Sequence, residues 1–126
     1  MKVLTLKQPW ATLVAEGIKK YEFRSWKTNY RGKVLIHAGS GIDKKELDRF
    51  KYLNLEYPSK KIIAEVEIED CLELDEKLNN KIISENNIAY GKKYRTGYAW
   101  KIGNVKKIES NKEIKGKLGL WNIDEY

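Results

Sequence analysis

Residues 17–24 read Gly17-Ile18-Lys19-Lys20-Tyr21-Glu22-Phe23-Arg24, and Lys19, Glu22 and Arg24 carry charge at a spacing that lets them converge beside a forced turn. A carboxylate flanked by an ammonium and a guanidinium suits the holding of a phosphate, a carboxylate or the edge of a base. The plain alternative is a solvated strand face with a surface ion pair, which contributes little.

The elements around the trio decide whether it converges. Gln8-Pro9-Trp10-Ala11-Thr12-Leu13-Val14-Ala15-Glu16 opens with a proline suited to a first helical turn and carries Trp10, Leu13 and Val14 at helical spacing. Gly17 is the helix stop. Beyond it, Tyr21 and Phe23 alternate with Lys20, Glu22 and Arg24, the period of a strand with one apolar and one polar face. Glu22 and Arg24 therefore point the same way, while Lys19, at the junction, is free to aim at the same space.

Elsewhere, residues 2–7 form a first strand, and Val34-Leu35-Ile36-His37 is the apolar run of a strand covered on both sides. Ala38-Gly39-Ser40-Gly41 follows as a loop small enough for close backbone approach. Asp43 and Glu46 open a helix whose apolar stripe is Leu47, Phe50 and Leu53. Ile62, Ala64, Val66 and Ile68 alternate with Glu65, Glu67 and Glu69, a half-buried strand. Asp75 caps a helix with Leu78, Ile82 and Ile83, which runs into a loop at 85–87. Residues 90–96 are a polar, basic, mobile loop, and 96–105, 106–108 and 114–123 supply the last strands. Several strands with few short helices predict a mainly β chain (α+β), closed or nearly closed into a barrel.

With its surroundings, the 17–24 string resembles the signature of the ASCH domain, a branch of the PUA-like superfamily of small β-barrels. Leu4-Thr5-Leu6-Lys7-Gln8-Pro9-Trp10-Ala11 resembles the family's opening strand and helix entry. Arg24-Ser25-Trp26-Lys27-Thr28-Asn29-Tyr30-Arg31-Gly32, then Val34-Leu35-Ile36-His37-Ala38, resemble its second and third strands. Gly97-Tyr98-Ala99-Trp100, Asn104-Val105 and Gly116-Lys117-Leu118-Gly119-Leu120-Trp121 resemble its closing strands. The resemblance covers nearly the whole chain, with residues 43–60 and 75–95 carrying little of it. It implies a single domain over 1–126, a PUA-like barrel of about five or six strands flanked by two or three helices, and a cleft for RNA or a nucleoside.

Aromatic rings bear on what such a cleft takes, because bases stack on rings while Arg and Lys hold phosphate. Trp10 and Trp26 adjoin Gln8 and Ser25 and are open to either stacking or packing, whereas Trp100 and Trp121 read as core. Tyr98 either aims its hydroxyl into the cavity or is an ordinary barrel tyrosine. His37 is either a general base or, more commonly for one histidine ending a buried strand, a hydrogen-bonded structural group. The expected ligand-binding set is thus Gln8, Trp10, Lys19, Glu22, Arg24, Ser25, Trp26, His37 and Tyr98, with Lys19 and Glu22 as catalytic candidates.

Composition narrows the classes. At 126 residues the chain has the length of one domain. No apolar stretch approaches the roughly 18 residues of a membrane span, and no secretory leader is evident, so no membrane association and a cytoplasmic location are expected. With one His and the single Cys71, a disulfide within the chain is impossible and no metal site or cofactor is expected. The net charge is +7 and unevenly distributed: residues 1–60 hold 13 Lys and Arg against 6 acids, 92–117 hold 9 against 2, and 61–76 hold 1 against 7. Two basic stretches around an acidic strand can make one positive face, the footprint of a polyanion binder.

Three functions follow. The first is binding of RNA, a nucleoside or a nucleotide. The second is hydrolysis of RNA or of a modified nucleoside: the resemblance extends to small bacterial ASCH proteins that deacylate N4-acetylcytidine with a Lys, a Thr and a Glu, but the family's Thr position falls here on Glu22, which cannot reproduce a threonine alkoxide. The resemblance also extends to family members linked to RNA cleavage, which implies Lys19 as stabiliser of developing charge and Glu22 or His37 as base. The third is a protein-interaction module in a transcription or RNA-processing complex, like the cointegrator branch for which the family is named. Oligomeric state is not legible from the sequence.

Overall fold

The computed structural model describes residues 1–85, 87–90 and 94–126. Strand β1 (Lys2–Gln8) leads into helix α1 (Trp10–Ala15), followed by β2 (Tyr21–Arg24), β3 (Gly32–Ile42) and α2 (Lys44–Arg49). After a 3-10 turn at Lys51–Leu53 come β4 (Lys61–Glu73), α3 (Glu76–Glu85), the single-turn α4 (Asn87–Tyr90), β5 (Tyr98–Lys107) and β6 (Leu120–Asn122). The six strands form one sheet in the order β2-β5-β4-β3-β1-β6, parallel between β1 and β3 and antiparallel elsewhere.

The sheet is strongly curled. In a flat sheet four strand spacings, roughly 19 Å, would separate β2 from β1. Instead Arg24 Nη2 on β2 donates to the Thr5 carbonyl on β1 at 3.1 Å. No ladder joins these strands among the described residues, so the sheet is barrel-like without closing into a barrel, and a seam lies between β2 and β1. Helix α1 packs against β1, β3, β4 and β5, filling the hollow. Its Ala11, Val14 and Ala15 join Leu4, Leu6, Ile36, Val66 and Trp100 in the main core. A second core lies outside the sheet, where Tyr21 and Ala99 meet Leu74, Ile82, Ala89 and Tyr90. Burial of this apolar surface is the main force that holds the curl.

The caps form as the residue types require: the Asp43 carboxylate accepts from Glu46 N at 3.1 Å and that of Asp75 from Leu78 N at 2.7 Å. Three expectations change. The 38–41 segment belongs to β3, because its parallel pairing with β1 continues to Gln8 opposite Ile42. Close approach is nevertheless the reason for its small residues, since a Cβ on Gly39 would sit 2.8 Å from Thr5 Cγ2. The pieces at 96–105 and 106–108 are one strand, β5. Of 114–123, only Leu120–Asn122 pairs, because the chain bends at 118–119, where Gly119 has φ +66°. Of the expected loops at 85–87 and 90–96, Glu85 instead ends α3 and Asn87–Tyr90 form α4, while residues 86 and 91–93 lie outside the described residues. No described helix is long and apolar enough to cross a membrane.

Candidate functional site

After α1 the chain reverses at Gly17, whose φ of +73° suits glycine, and the amides of Ile18 and Lys19 both donate to the Leu13 carbonyl, at 2.9 and 3.0 Å. This fold-back turns Lys19 inward. Its Nζ donates to the Tyr21 carbonyl at 2.6 Å and to Glu22 Oε1 at 2.8 Å, and the residue is only 4% exposed. Pairing in the sheet orients Glu22. It lies opposite the fully buried Trp100, and directly opposed residues of an antiparallel pair share a face, so the polar side of β2 faces the hollow. Tyr21 takes the other side, in the second core. The trio is therefore not a solvated strand face.

Glu22 Oε1 also accepts from Phe23 N at 3.1 Å, and Oε2 accepts from Arg24 Nη2 at 3.3 Å. Burial pushes the Glu22 carboxyl up, but the charges of Lys19 and Arg24 and the hydrogen bonds from Lys19 and Phe23 outweigh it and hold it below the ordinary carboxylate range. Burial pushes the Lys19 ammonium down, assisted by Arg95 and Arg24 and opposed by Glu22. Glu22 is thus a fixed anion with both oxygens engaged.

The cluster sits at the base of a cleft of about 550 Å³ that opens along the seam. β1 contributes Thr5, Leu6 and Lys7; β2 contributes Glu22, Phe23 and Arg24; Gly39 and Gly41 of β3, together with Trp10, Lys19, Arg95 and residues 117–119, complete the lining. Five basic residues face one carboxylate there: Lys7, Lys19, Arg24, Arg95 and Lys117 against Glu22. Rings line it as well. Lys19 Nζ lies 5.8 Å from the Trp10 ring centroid and 5.2 Å from that of Phe23, and the Arg95 guanidinium carbon lies 4.4 Å from Phe23.

Of the residues singled out from sequence, Trp10, Lys19, Glu22 and Arg24 come together here. Gln8, Ser25, Trp26, His37 and Tyr98 lie outside the lining. Gln8 is fully buried, accepting from Thr12 N at 3.0 Å and donating to the Pro58 carbonyl at 2.9 Å, which ties α1 to a distant loop. Ser25 and Trp26 are exposed beyond β2, the Trp26 ring standing edge-on to Trp100 with centroids 4.7 Å apart. Tyr98 packs against the main core. Arg95, Lys117, Thr5 and Lys7 line the cleft without being singled out by the sequence: Arg95 and Lys117 lie in basic stretches, and Thr5, Lys7 and Lys117 lie in family-resembling strings as ordinary strand residues.

His37 sits behind the cleft wall. Because a carbonyl can only accept, the 2.6 Å contact to the Ile114 oxygen places a proton on Nε2; Nδ1 then accepts from the Thr5 hydroxyl at 3.1 Å. The same hydroxyl oxygen accepts from Trp121 Nε1 at 3.1 Å. The Thr5 hydroxyl, both His37 ring nitrogens and Trp121 Nε1 are thus all paired around a neutral imidazole. Burial lowers the His37 pKa, partly offset by the bond to Ile114. Folding therefore excludes a proton that the unfolded chain binds at about pH 6.5. Stability is expected to be full above that pH and to fall as the pH drops below it towards the lower folded value. Urea midpoints between pH 7.5 and 5.5 test this cleanly, because His37 is the only histidine; a flat profile would contradict it.

The curled six-stranded sheet, with α1 in its hollow and a basic cleft at its seam, defines the class. The chain belongs to the ASCH domain family, whose model matches residues 4–115, and its fold is the PUA-like one of that family. It is 28% identical to mouse (Mus musculus) and 29% identical to human (Homo sapiens) activating signal cointegrator 1, each over 96% of this chain. The chain spans only 22% of the length of those relatives. Among solved structures, ASCH from Zymomonas mobilis superposes with a TM-score of 0.56 at 17% identity, over 90% of this chain and 72% of that one. A point mutant of the Zymomonas protein gives 0.53 at 16% identity, over 90% and 74%.

Proposed function

We propose that the chain binds RNA, presenting the cleft at the β1–β2 seam to one nucleotide. The observation that carries this is the lining, in which five basic side chains and a single carboxylate share the cleft with the rings of Trp10 and Phe23. The exposed Lys7 and Lys117 can neutralise phosphate, the Trp10 ring can offer surface to a base, and Glu22 Oε2, which among the described residues accepts only from Arg24, can accept from a base amino group. Membership of a family associated with RNA agrees with this. Catalysis by Glu22 fits less well, because an anion with a lowered pKa and both oxygens engaged is a poor proton acceptor. A protein partner is the second reading, favoured by the likeness to a protein named as a signal cointegrator.

Titration of a labelled RNA at several salt concentrations tests the proposal. Affinity is expected to fall log-linearly with salt, and Lys117→Ala to reduce the slope by about one with little change in stability, since Lys117 is exposed. Single-stranded DNA in parallel reports selectivity for the ribose. Absence of salt-dependent binding to either polymer would leave the protein-partner reading.

A further inference from the structure

We infer that Leu118 is a base-contacting wedge and that the cleft accepts a nucleotide from single-stranded RNA rather than from a duplex. This deepens the RNA-binding reading and rests on it. Leu118 is 98% exposed, and it lines the cleft mouth between Lys117 and Gly119. A lone exposed leucine is ordinary on a protein surface. Here it stands at the tip of a bend that is held on both sides.

Upstream, the Ile114 amide donates to the Lys60 carbonyl at 2.7 Å, and the Ile114 carbonyl accepts from buried His37. Gly116 is wedged against β1 and β3, where a Cβ would lie 2.9 Å from Thr5 Oγ1 and 3.0 Å from His37 Cε1. Downstream, Leu120 enters β6 and pairs with Leu4 of β1. Exposure of Leu118 is therefore imposed by the fold, and an anchored side chain loses less freedom on binding than a fraying one.

Charge and shape select the occupant. Exposed Lys115 and Lys117 flank the leucine, and Arg95 and Arg24 lie on the cleft lining, so the apolar tip is set in a cationic rim. A polyanion with apolar faces fits such a surface. The cleft base, with Lys19 and Glu22, lies between two strands of a curled sheet, a seam that Arg24 spans at 3.1 Å. No duplex enters such a seam; one base must leave its stack. Leu118 would then cover the face of the neighbouring base exposed by that departure, as apolar wedges do at unstacked steps. The bend lies beyond the 4–115 span that the family model matches.

The test uses a labelled single-stranded RNA, a fully paired RNA of the same length, and the full chain carrying Leu118→Ala, Leu118→Met or Lys117→Ala. Leu118→Ala is expected to weaken single-strand binding about five- to tenfold with an unchanged salt slope, because the lost contact is apolar. Leu118→Met should retain most of the affinity, and the paired RNA should bind more weakly than the single strand. The variants should fold, since Leu118 buries almost nothing. Affinity of Leu118→Ala within twofold of wild type would overturn the wedge while leaving RNA binding intact, as would a slope that falls with the affinity or a duplex that binds equally well. If the wild-type chain binds no RNA, the wedge and the RNA-binding proposal fall together.

Discussion

Glu22→Leu is expected to lower the free energy of unfolding by about 3–5 kcal/mol, the range for breaking a buried ion pair from one side. Lys19 would keep only the Tyr21 carbonyl among its hydrogen-bond acceptors, inside a site that Arg24 and Arg95 already make positive. Its ammonium is disfavoured by burial even with Glu22 present, so removing the carboxylate lowers its pKa further. The sign of the pH dependence follows. A lysine whose folded pKa lies below its unfolded value, about 10.4, loses its proton first in the folded state, so stability rises with pH between the two values. The defect of Glu22→Leu should therefore shrink as the pH is raised towards 10. The second variant, Lys19→Met with Glu22→Leu, removes both charges and should recover most of the loss, since an apolar pair of similar volume is often neutral or better. Urea midpoints of wild type, the singles and the double complete the cycle. A double variant no more stable than Glu22→Leu would show that the loss comes from cavity or strand effects rather than from the stranded ammonium.

That prediction depends on burial, which was the least legible property of the trio. Alternation along 20–24 was enough to place Glu22 and Arg24 on one face, because strand parity is local. Whether that face turned to water or inward depended on β5 lying alongside with Trp100 opposite Glu22, a pairing of residues 78 positions apart. Likewise the alternation of 62–68 marked β4, but its continuation to Glu73 is set by pairing with β5, with register shifts between Glu65 and Glu67 and between Ile68 and Asp70. The glycines of 38–41 read as a loop because local propensity disfavours them in strands; a parallel neighbour that needs close approach overrides it. Arg95 and Lys117 were invisible as site residues for the same reason. They approach Arg24 only because the sheet curls, and curl is a tertiary property. His37 shows the converse: its bland reading was available from type and position, and the Thr5–His37–Ile114 chain supplies the partners.

Arg24 joins the two strands of the seam and lines the cleft between them. Arg24 is the described link from β2 to β1, through the Thr5 carbonyl, and its Nη2 also donates to Glu22. Its Nε is buried with no hydrogen-bond partner among the described residues. The guanidinium thus sets the width of the cleft while lining it, and Gly97 backs the same strand, where a Cβ would fall 2.7 Å from the Arg24 carbonyl oxygen. If the cleft takes a nucleotide as proposed, Arg24→Ala should weaken RNA binding at least about tenfold, by losing a cation at the ligand and by freeing the seam. Arg24→Lys should recover little. An ammonium is one point charge, whereas the planar fork reaches Thr5 and Glu22 in fixed directions. Stability should fall by about 1.5–3 kcal/mol in the alanine variant, the usual scale for hydrogen bonds made by a charged group. Binding measured well below the melting temperature separates the two effects. Excess RNA should raise Tm for wild type by mass action and raise it less for Arg24→Ala. Wild-type affinity in Arg24→Ala would remove the seam cleft as the RNA site, whereas full recovery by Arg24→Lys would reduce the role of Arg24 to charge alone.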